Sequence, residues 1–150
     1  MMKPNKSTSY ALFAAMEMAR AGPGRQVSVA FVAERYSIPP AVLAKVFQQL
    51  VRGGVAVGVR GSGGGYRLAR QAAGITVLDV IEAFEPPGVS CRCPIDDRRP
   101  GREPAESRRL RRLFDEVDEQ ARSTFASVTL ETLVGQPRPG MGLRLAHGGS

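Results

Sequence analysis

A chain of 150 residues, 43% of them apolar, is long enough for one ordinary domain with an added segment. It has no apolar run of bilayer-spanning length and no charged–apolar–small leader pattern. Its two cysteines, Cys91 and Cys93, make no disulfide framework of the secreted kind. These features argue against a membrane or secreted class and for a soluble, cytoplasmic protein. The net charge of +7 is uneven: residues 1–70 carry ten Lys/Arg against two acids (+8), and residues 71–150 carry eleven against twelve (−1). A basic front half on a near-neutral back half reads as a polyanion-binding module joined to something else.

The first helix is predicted from a cap at Ser7 or Thr8 to about Ala21, with Leu12, Ala15, Met16 and Ala19 as its apolar stripe. "AGPGRQ" breaks it. Ser28 caps a short second helix with Val29, Val32, Ala33 and Tyr36 on one face. "SIPP" is a turn, and Pro39 or Pro40 enters the first turn of a third helix. That helix buries Leu43, Val46, Phe47 and Leu50, exposes Ala41, Lys45, Gln48 and Arg52, and ends at Gly53-Gly54. A strand over Val55–Arg60, a glycine loop and a return strand "YRL" read as a hairpin. Thr76 caps a helix with Val77, Val80, Ile81 and Phe84 inward, stopped by "EPPG".

Residues 86–104 read as an irregular loop. A long helix starts near Ala105, with a narrow apolar seam at Leu110, Phe114, Val117, Ala121, Phe125 and Val128. Such a seam on a small domain calls for a partner. Thr129 caps a last turn, "LETL", and residues 135–150, rich in Gly and Pro, read as a disordered tail. The expected organisation is 1–85, 86–104, 105–134 and 135–150. The fold class is mostly α with a small β-hairpin.

The stretch "VRGSGGGYRLAR" (59–70) poses the functional question. A nucleotide-phosphate loop needs a helix directly after its glycines. Here Tyr66, Arg67 and Leu68 read as strand, and no Gly-Lys-Ser/Thr follows. Three helices and then a hairpin instead make a winged helix-turn-helix. Its third helix can enter a major groove while the hairpin tip reaches the adjacent minor groove. Arg60 at the base of the tip suits a narrow groove of negative potential. Arg67 and Arg70 are left for phosphate or solvent, and Tyr66 packs the wing against the helices.

The segments "KSTSYAL", "VSVAFVAERYSIP", "GGVAVGVRGSGGGYRLAR", "ITVLDVIEAFE" and "TLETL" resemble, in order, the Rrf-two (Rrf2) family of bacterial transcription regulators, over about residues 3–134. The resemblance implies a homodimer crossed by the long helix and bound to a palindromic operator of double-stranded DNA, as a repressor in most such families. It points to Lys6, Ser7, Pro40, Ala41, Lys45, Gln48, Gln49, Arg60, Gly61, Ser62 and Gly63 as DNA-contacting residues, and to the long-helix seam as the dimer interface.

The sequence departs from the family at two places. Positions 41 and 44 are alanine where many relatives carry polar residues, so base hydrogen bonds fall to Lys45, Gln48 or Gln49, and alanine is left to touch a thymine methyl. Cluster-binding relatives carry three cysteines about six residues apart. Cys93 stands at the first place, but Arg99 and Ala105 hold the other two. An iron–sulfur cluster normally takes four protein ligands, and His147, the only histidine, lies in the tail. Three readings stay open: no cofactor, which is the expectation; a metal or cluster shared by two chains through Cys91 and Cys93; or a thiol switch favoured by the neighbouring arginines. The alternative function is a winged-helix protein–protein module without DNA binding. No nucleophile–base or carboxylate pair points to an enzyme.

Overall fold

The computed structural model describes residues 5–61, 63–85 and 104–135. Helix α1 spans Lys6–Ala21, α2 Val29–Tyr36 and α3 Pro40–Arg52. Strands β1 (Ala56–Val59) and β2 (Gly65–Leu68) follow. A 3-10 turn at Ala72–Gly74 leads to α4 (Val77–Glu82). Helices α5 (Ala105–Ser127) and α6 (Leu130–Val134) complete the fold.

Asn5, not Ser7 or Thr8, caps α1: its side chain accepts from the Thr8 amide at 2.8 Å. Thr8 is instead fully buried, its hydroxyl 3.0 Å from Asn5 Oδ1 and 3.1 Å from Glu85 Oε1. The buried face of α1 is Thr8, Ala11, Ala14, Ala15, Glu17 and Met18, so of the expected stripe only Ala15 is fully buried. The physical reason is that α1 is central. It packs against α2, α3, α4, α6 and β2, so it is covered round much of its circumference. Alanines at 11, 14 and 15 let neighbouring helices approach closely, and a one-stripe pattern does not describe such a helix.

Helices α2 and α3 follow the sequence reading. Ser28 accepts from the Phe31 amide at 3.1 Å, and Val32 and Ala33 are buried. Ser37 ends α2 in the left-handed region (φ 53°), and the Ile38 amide reaches back to the Ala33 carbonyl at 3.0 Å. Pro40 opens α3, which buries Leu43, Val46, Phe47 and Leu50.

The hairpin pairs Ala56 with Leu68 through Val59 with Gly65, antiparallel. It is shorter than predicted at its first strand, because Val55 bonds the Leu50 carbonyl (3.0 Å) and Arg60 has already left the ladder. A third piece of backbone joins it: Val27 and Tyr66 exchange both amide–carbonyl bonds at 2.8 Å.

A capping box starts α4. Thr76 Oγ1 accepts from the Asp79 amide, and Asp79 Oδ2 accepts from the Thr76 amide. Val77, Val80 and Ile81 are buried, and Phe84 is half-buried.

The 23 residues of α5 include none that is fully buried. Val128, assigned to its seam from sequence, lies past its end in extended conformation, where its carbonyl accepts from the Val77 amide at 2.8 Å. The chain then folds back. Thr129 caps α6, and Leu130, fully buried, joins the same core as Met18, Leu43, Phe47 and Ile75. The last turn thus completes the core of the winged domain from beyond the long helix. Truncating Leu130 to alanine should therefore cost about 2–5 kcal/mol, as cavity-forming core substitutions do. Urea unfolding checks this, and a loss below about 0.5 kcal/mol, the range of surface substitutions, contradicts the docking of α6.

Candidate nucleic-acid interface

The helix-turn-helix is set by a buried ionic knot between α1 and α2. Glu17 is only 4% exposed. Its Oε1 receives Arg20 at 2.6 Å, Arg35 at 3.0 Å and the Tyr36 hydroxyl at 2.7 Å. Tyr36 first, and Glu17 after it, raise the Arg20 guanidinium above its already high ordinary pKa against a partial burial penalty. Phe13 stacks on Tyr36 at 4.7 Å, covering the knot's apolar side. A buried carboxylate with these donors fixes one geometry of α2 on α1, whatever its net energy.

Helix α3 presents Pro40, Ala41, Lys45, Gln48 and Arg52 outward, all exposed. Val42 is 41% exposed beside them. Lys6 and Ser7 lie exposed at the start of α1, and Ser7 shares a shallow groove with Val42 and Lys45. The structure thus brings the start of α1 and the outer face of α3 together. Gln49, half-buried, lines the same groove, and its Nε2 donates to the Ala83 carbonyl at 2.8 Å, tying α3 to the end of α4. Position 49 follows 45 by about one helical turn, so the two share a face, with Gln49 on its side toward α4.

The wing is mounted on the same helix. Tyr66 stacks on Phe47 with centroids 4.6 Å apart and planes 17° apart, the packing role expected for it. Gly65 is required by the Val27 contact, since any Cβ there would run into the Val27 carbonyl. At the tip, Gly61 (φ 118°) and Gly63 (φ 76°) occupy backbone that favours glycine, and the Gly64 amide closes the turn onto the Gly61 carbonyl at 2.8 Å. Arg60 is exposed beside it. Ser62 lies outside the described residues.

Charge pairing sorts the basic residues. Arg20 and Arg35 serve Glu17. Arg70, left from sequence for phosphate or solvent, is a strut: it donates to the Gly74 carbonyl (2.9 Å) and the Gly54 carbonyl (3.3 Å), and pairs with Asp79 at 3.2 Å. Arg25, Lys45, Arg52, Arg60 and Arg67 are exposed and have no acidic partner among the described residues; Lys6 sits 5.9 Å over the Tyr10 ring. Among the described residues of the winged domain, the cations that remain available are those of the α1 start, the α1–α2 loop, α3 and the wing.

Of the long-helix seam, Phe114, Val117, Ala121 and Phe125 are half-buried, while Leu110 (36%) and Leu113 (53%) are exposed. Leu113 was missed because it falls outside the 4-3 spacing that singled out the seam. Toward its C-terminal end α5 packs on α4, with Arg122 paired to Glu82 at 2.7 Å. Sequence reasoning also missed Glu17, Val27 and Gln26. A lone acid in an alanine-rich helix and an isolated bridge residue carry no periodic signal. Cys91, Cys93 and His147 lie outside the described residues.

The chain matches, over residues 5–136, the model of the family Rrf2, described as an iron-dependent transcriptional regulator. It is 39% identical over 133 residues to a protein named as the HTH-type transcriptional regulator BadM of Rhodopseudomonas palustris, covering 89% of this chain and 81% of that one. It is 30% identical over 133 residues to the HTH-type transcriptional regulator IscR of Xenorhabdus nematophila, covering 89% and 79%. Among solved structures, CymR, the global cysteine regulator of B. subtilis, superposes with a TM-score of 0.69 at 28% identity, covering 89% of this chain and 97% of that one. T. potens IscR gives 0.70 at 23% identity, covering 88% and 85%, a likeness of fold.

Among the described residues no group of three or more His, Cys, Asp or Glu is placed for a metal. The two thiolates of one chain fall short of the four ligands a cluster normally takes.

Proposed function

The chain belongs to the Rrf2 family of transcriptional regulators, and on that premise we propose that it is a homodimeric repressor that binds a palindromic operator. The observation that carries the DNA reading is the sorting of charge. Glu17 is spent on Arg20 and Arg35, Asp79 on Arg70 and Glu82 on Arg122, and cations without an acidic partner among the described residues are left on α3 and the wing. In this reading α3 enters the major groove with Ala41, Lys45 and Gln48. Lys6, Ser7, Arg52 and Arg67 meet phosphates, and Arg60 enters the minor groove. A basic wing whose cations were already paired would favour a protein-binding module instead.

Log affinity for duplex DNA should fall linearly with log salt between about 50 and 200 mM, and Arg60→Ala should cost about 1–3 kcal/mol. Fluorescence anisotropy checks both, and salt-independent binding or an unaffected variant sinks the reading.

The dimer rests on α5. At 23 residues it is about 34 Å long. Leu110 and Leu113 are open along its first half, and a helix that packs on one side only at one end gains little from its own hydrogen bonds. A second copy of α5 laid against this face covers both leucines and sets two α3 helices at half-sites on one side of the duplex. Leu113→Asp should give monomers by light scattering that bind DNA weakly; a monomeric wild-type protein contradicts the dimer.

The repressor role follows the family resemblance, and occupancy of an operator is sufficient for it. We further propose that DNA binding needs no iron–sulfur cluster, given two cysteines per chain. Anaerobically purified protein should be colourless and should still bind DNA. A brown preparation whose visible absorbance is lost in a Cys91→Ala/Cys93→Ala variant would overturn this.

A further inference from the structure

The tip of the wing has few attachments. The strands that carry it are four residues each. A Cβ at Gly61 or Gly63 would meet nothing within 4 Å, so the tip stands in open space. Glycine-rich backbone loses the most entropy when it is ordered. Below the tip, Tyr66 is fixed on one side by Phe47 and on the other by Val27. That anchorage ends at Gly65, where the backbone of Val27 presses too closely for any side chain.

Beyond that point one side chain reaches the tip among the described residues. Gln26 Nε2 donates to the Gly63 carbonyl in a short contact. Gln26 precedes the bridge residue Val27, so its backbone is fixed by the same pair of bonds that holds Tyr66. The side chain spans a cleft whose walls include Arg20, Arg25, Phe31, Gly63 and Gly64. The bond therefore joins the α1–α2 loop, which is rigidly seated, to a tip that is otherwise free. Arg60 leaves β1 directly before Gly61, whose carbonyl closes the turn with Gly64. The direction of Arg60 is set by the same few residues that Gln26 holds.

We propose that Gln26 is a positioning residue for DNA recognition: it latches the wing tip so that Arg60 is presented to the groove before DNA arrives. The inference rests on the DNA-binding reading above. Gln26 itself touches no DNA. Its contribution is that the tip does not have to be ordered on binding, which is a saving in affinity rather than a contact.

The test uses the full chain and a fluorescent duplex selected by the wild-type protein from a randomised pool. Gln26→Met keeps the length of the side chain and removes the donor. Gln26→Ala is the second variant, and thermal melting checks that both fold. Each should weaken binding by about three- to tenfold, the worth of one hydrogen bond, and reduce the salt slope by less than the change of about one that complete loss of a charge contact gives.

The decisive measurement is the double-mutant cycle. Arg60→Ala in the Gln26→Met background should cost less than it does in the wild type, because an unlatched tip has already lost part of that contact. Wild-type affinity in both Gln26 variants, or full additivity with Arg60→Ala, overturns the latch while leaving the DNA reading intact. An Arg60→Ala protein that binds like wild type overturns the groove role of Arg60, and the latch falls with it, whereas a wild-type protein that selects and binds no duplex overturns the DNA reading itself.

Discussion

The two candidate DNA-facing elements meet in an aromatic contact. Phe47 is fully buried in α3, and its ring meets Tyr66 of β2 in a near-parallel stack. A winged domain recognises DNA with a helix and a hairpin that must keep a fixed offset, since one follows the major groove and the other the adjacent minor groove. The stack provides that offset directly, side chain to side chain, without passing through a loop. Tyr66 also exchanges two backbone bonds with Val27 just before α2. The second helix, the third helix and the wing are therefore locked at one residue. Close packing of this kind tolerates little adjustment.

The ionic knot at Glu17 completes that frame from the other side. An isolated buried carboxylate would be costly. Here Arg20, Arg35 and Tyr36 converge on the same oxygen. The arginines keep about half of their surface in water while the carboxylate is covered. This arrangement, with Phe13 stacked on Tyr36 beside it, holds α2 across α1 in one orientation, where the buried face of α1 is largely alanine. It also removes two cations from the pool available to DNA. The charge seen from outside is smaller than the composition of residues 1–70 suggests, and it is confined to fewer places.

The parts of the molecule legible in the sequence are those with a repeating physical signature. Helices α2 and α3 bury what a 3.6-residue period selects, the caps at Ser28, Thr76 and Thr129 lie where a hydroxyl precedes an apolar run, and the hairpin follows from the glycines and the alternating strand. The central helix α1 was misread because a helix covered by five neighbours has no single stripe. The ties of Gln49 and Arg70 to carbonyls of their own chain were not legible, because a polar side chain on a basic domain looks alike in sequence whether it faces outward or a carbonyl such as that of Ala83 or Gly54, 34 and 16 residues away. Val128 was placed on the seam because it continues the spacing, but the tie to Val77 ends the helix one residue earlier.

The same tertiary ties explain why the exit from α4 is so strongly held. Glu82 pairs with Arg122 of α5, the Ala83 carbonyl takes the Gln49 amide of α3, and Glu85 Oε1 accepts from the Asn5 amide at the start of α1 at 3.1 Å. Gly53 must be glycine for this approach, because a Cβ there would stand 2.6 Å from that of Ala83. Three of the four residues 82–85 thus bind three helices, two of which carry candidate DNA-contacting residues. The Gln49 bond fixes α3 along one edge as well as through its apolar face. The exposed residues of α3 beside that edge are Ala41, Lys45 and Gln48, with Val42 at their side: a short, mostly apolar face. On the proposed DNA reading, hydrogen bonds to base edges from this face fall to Lys45 and Gln48, and discrimination depends more heavily on methyl contacts and on where the wing is held.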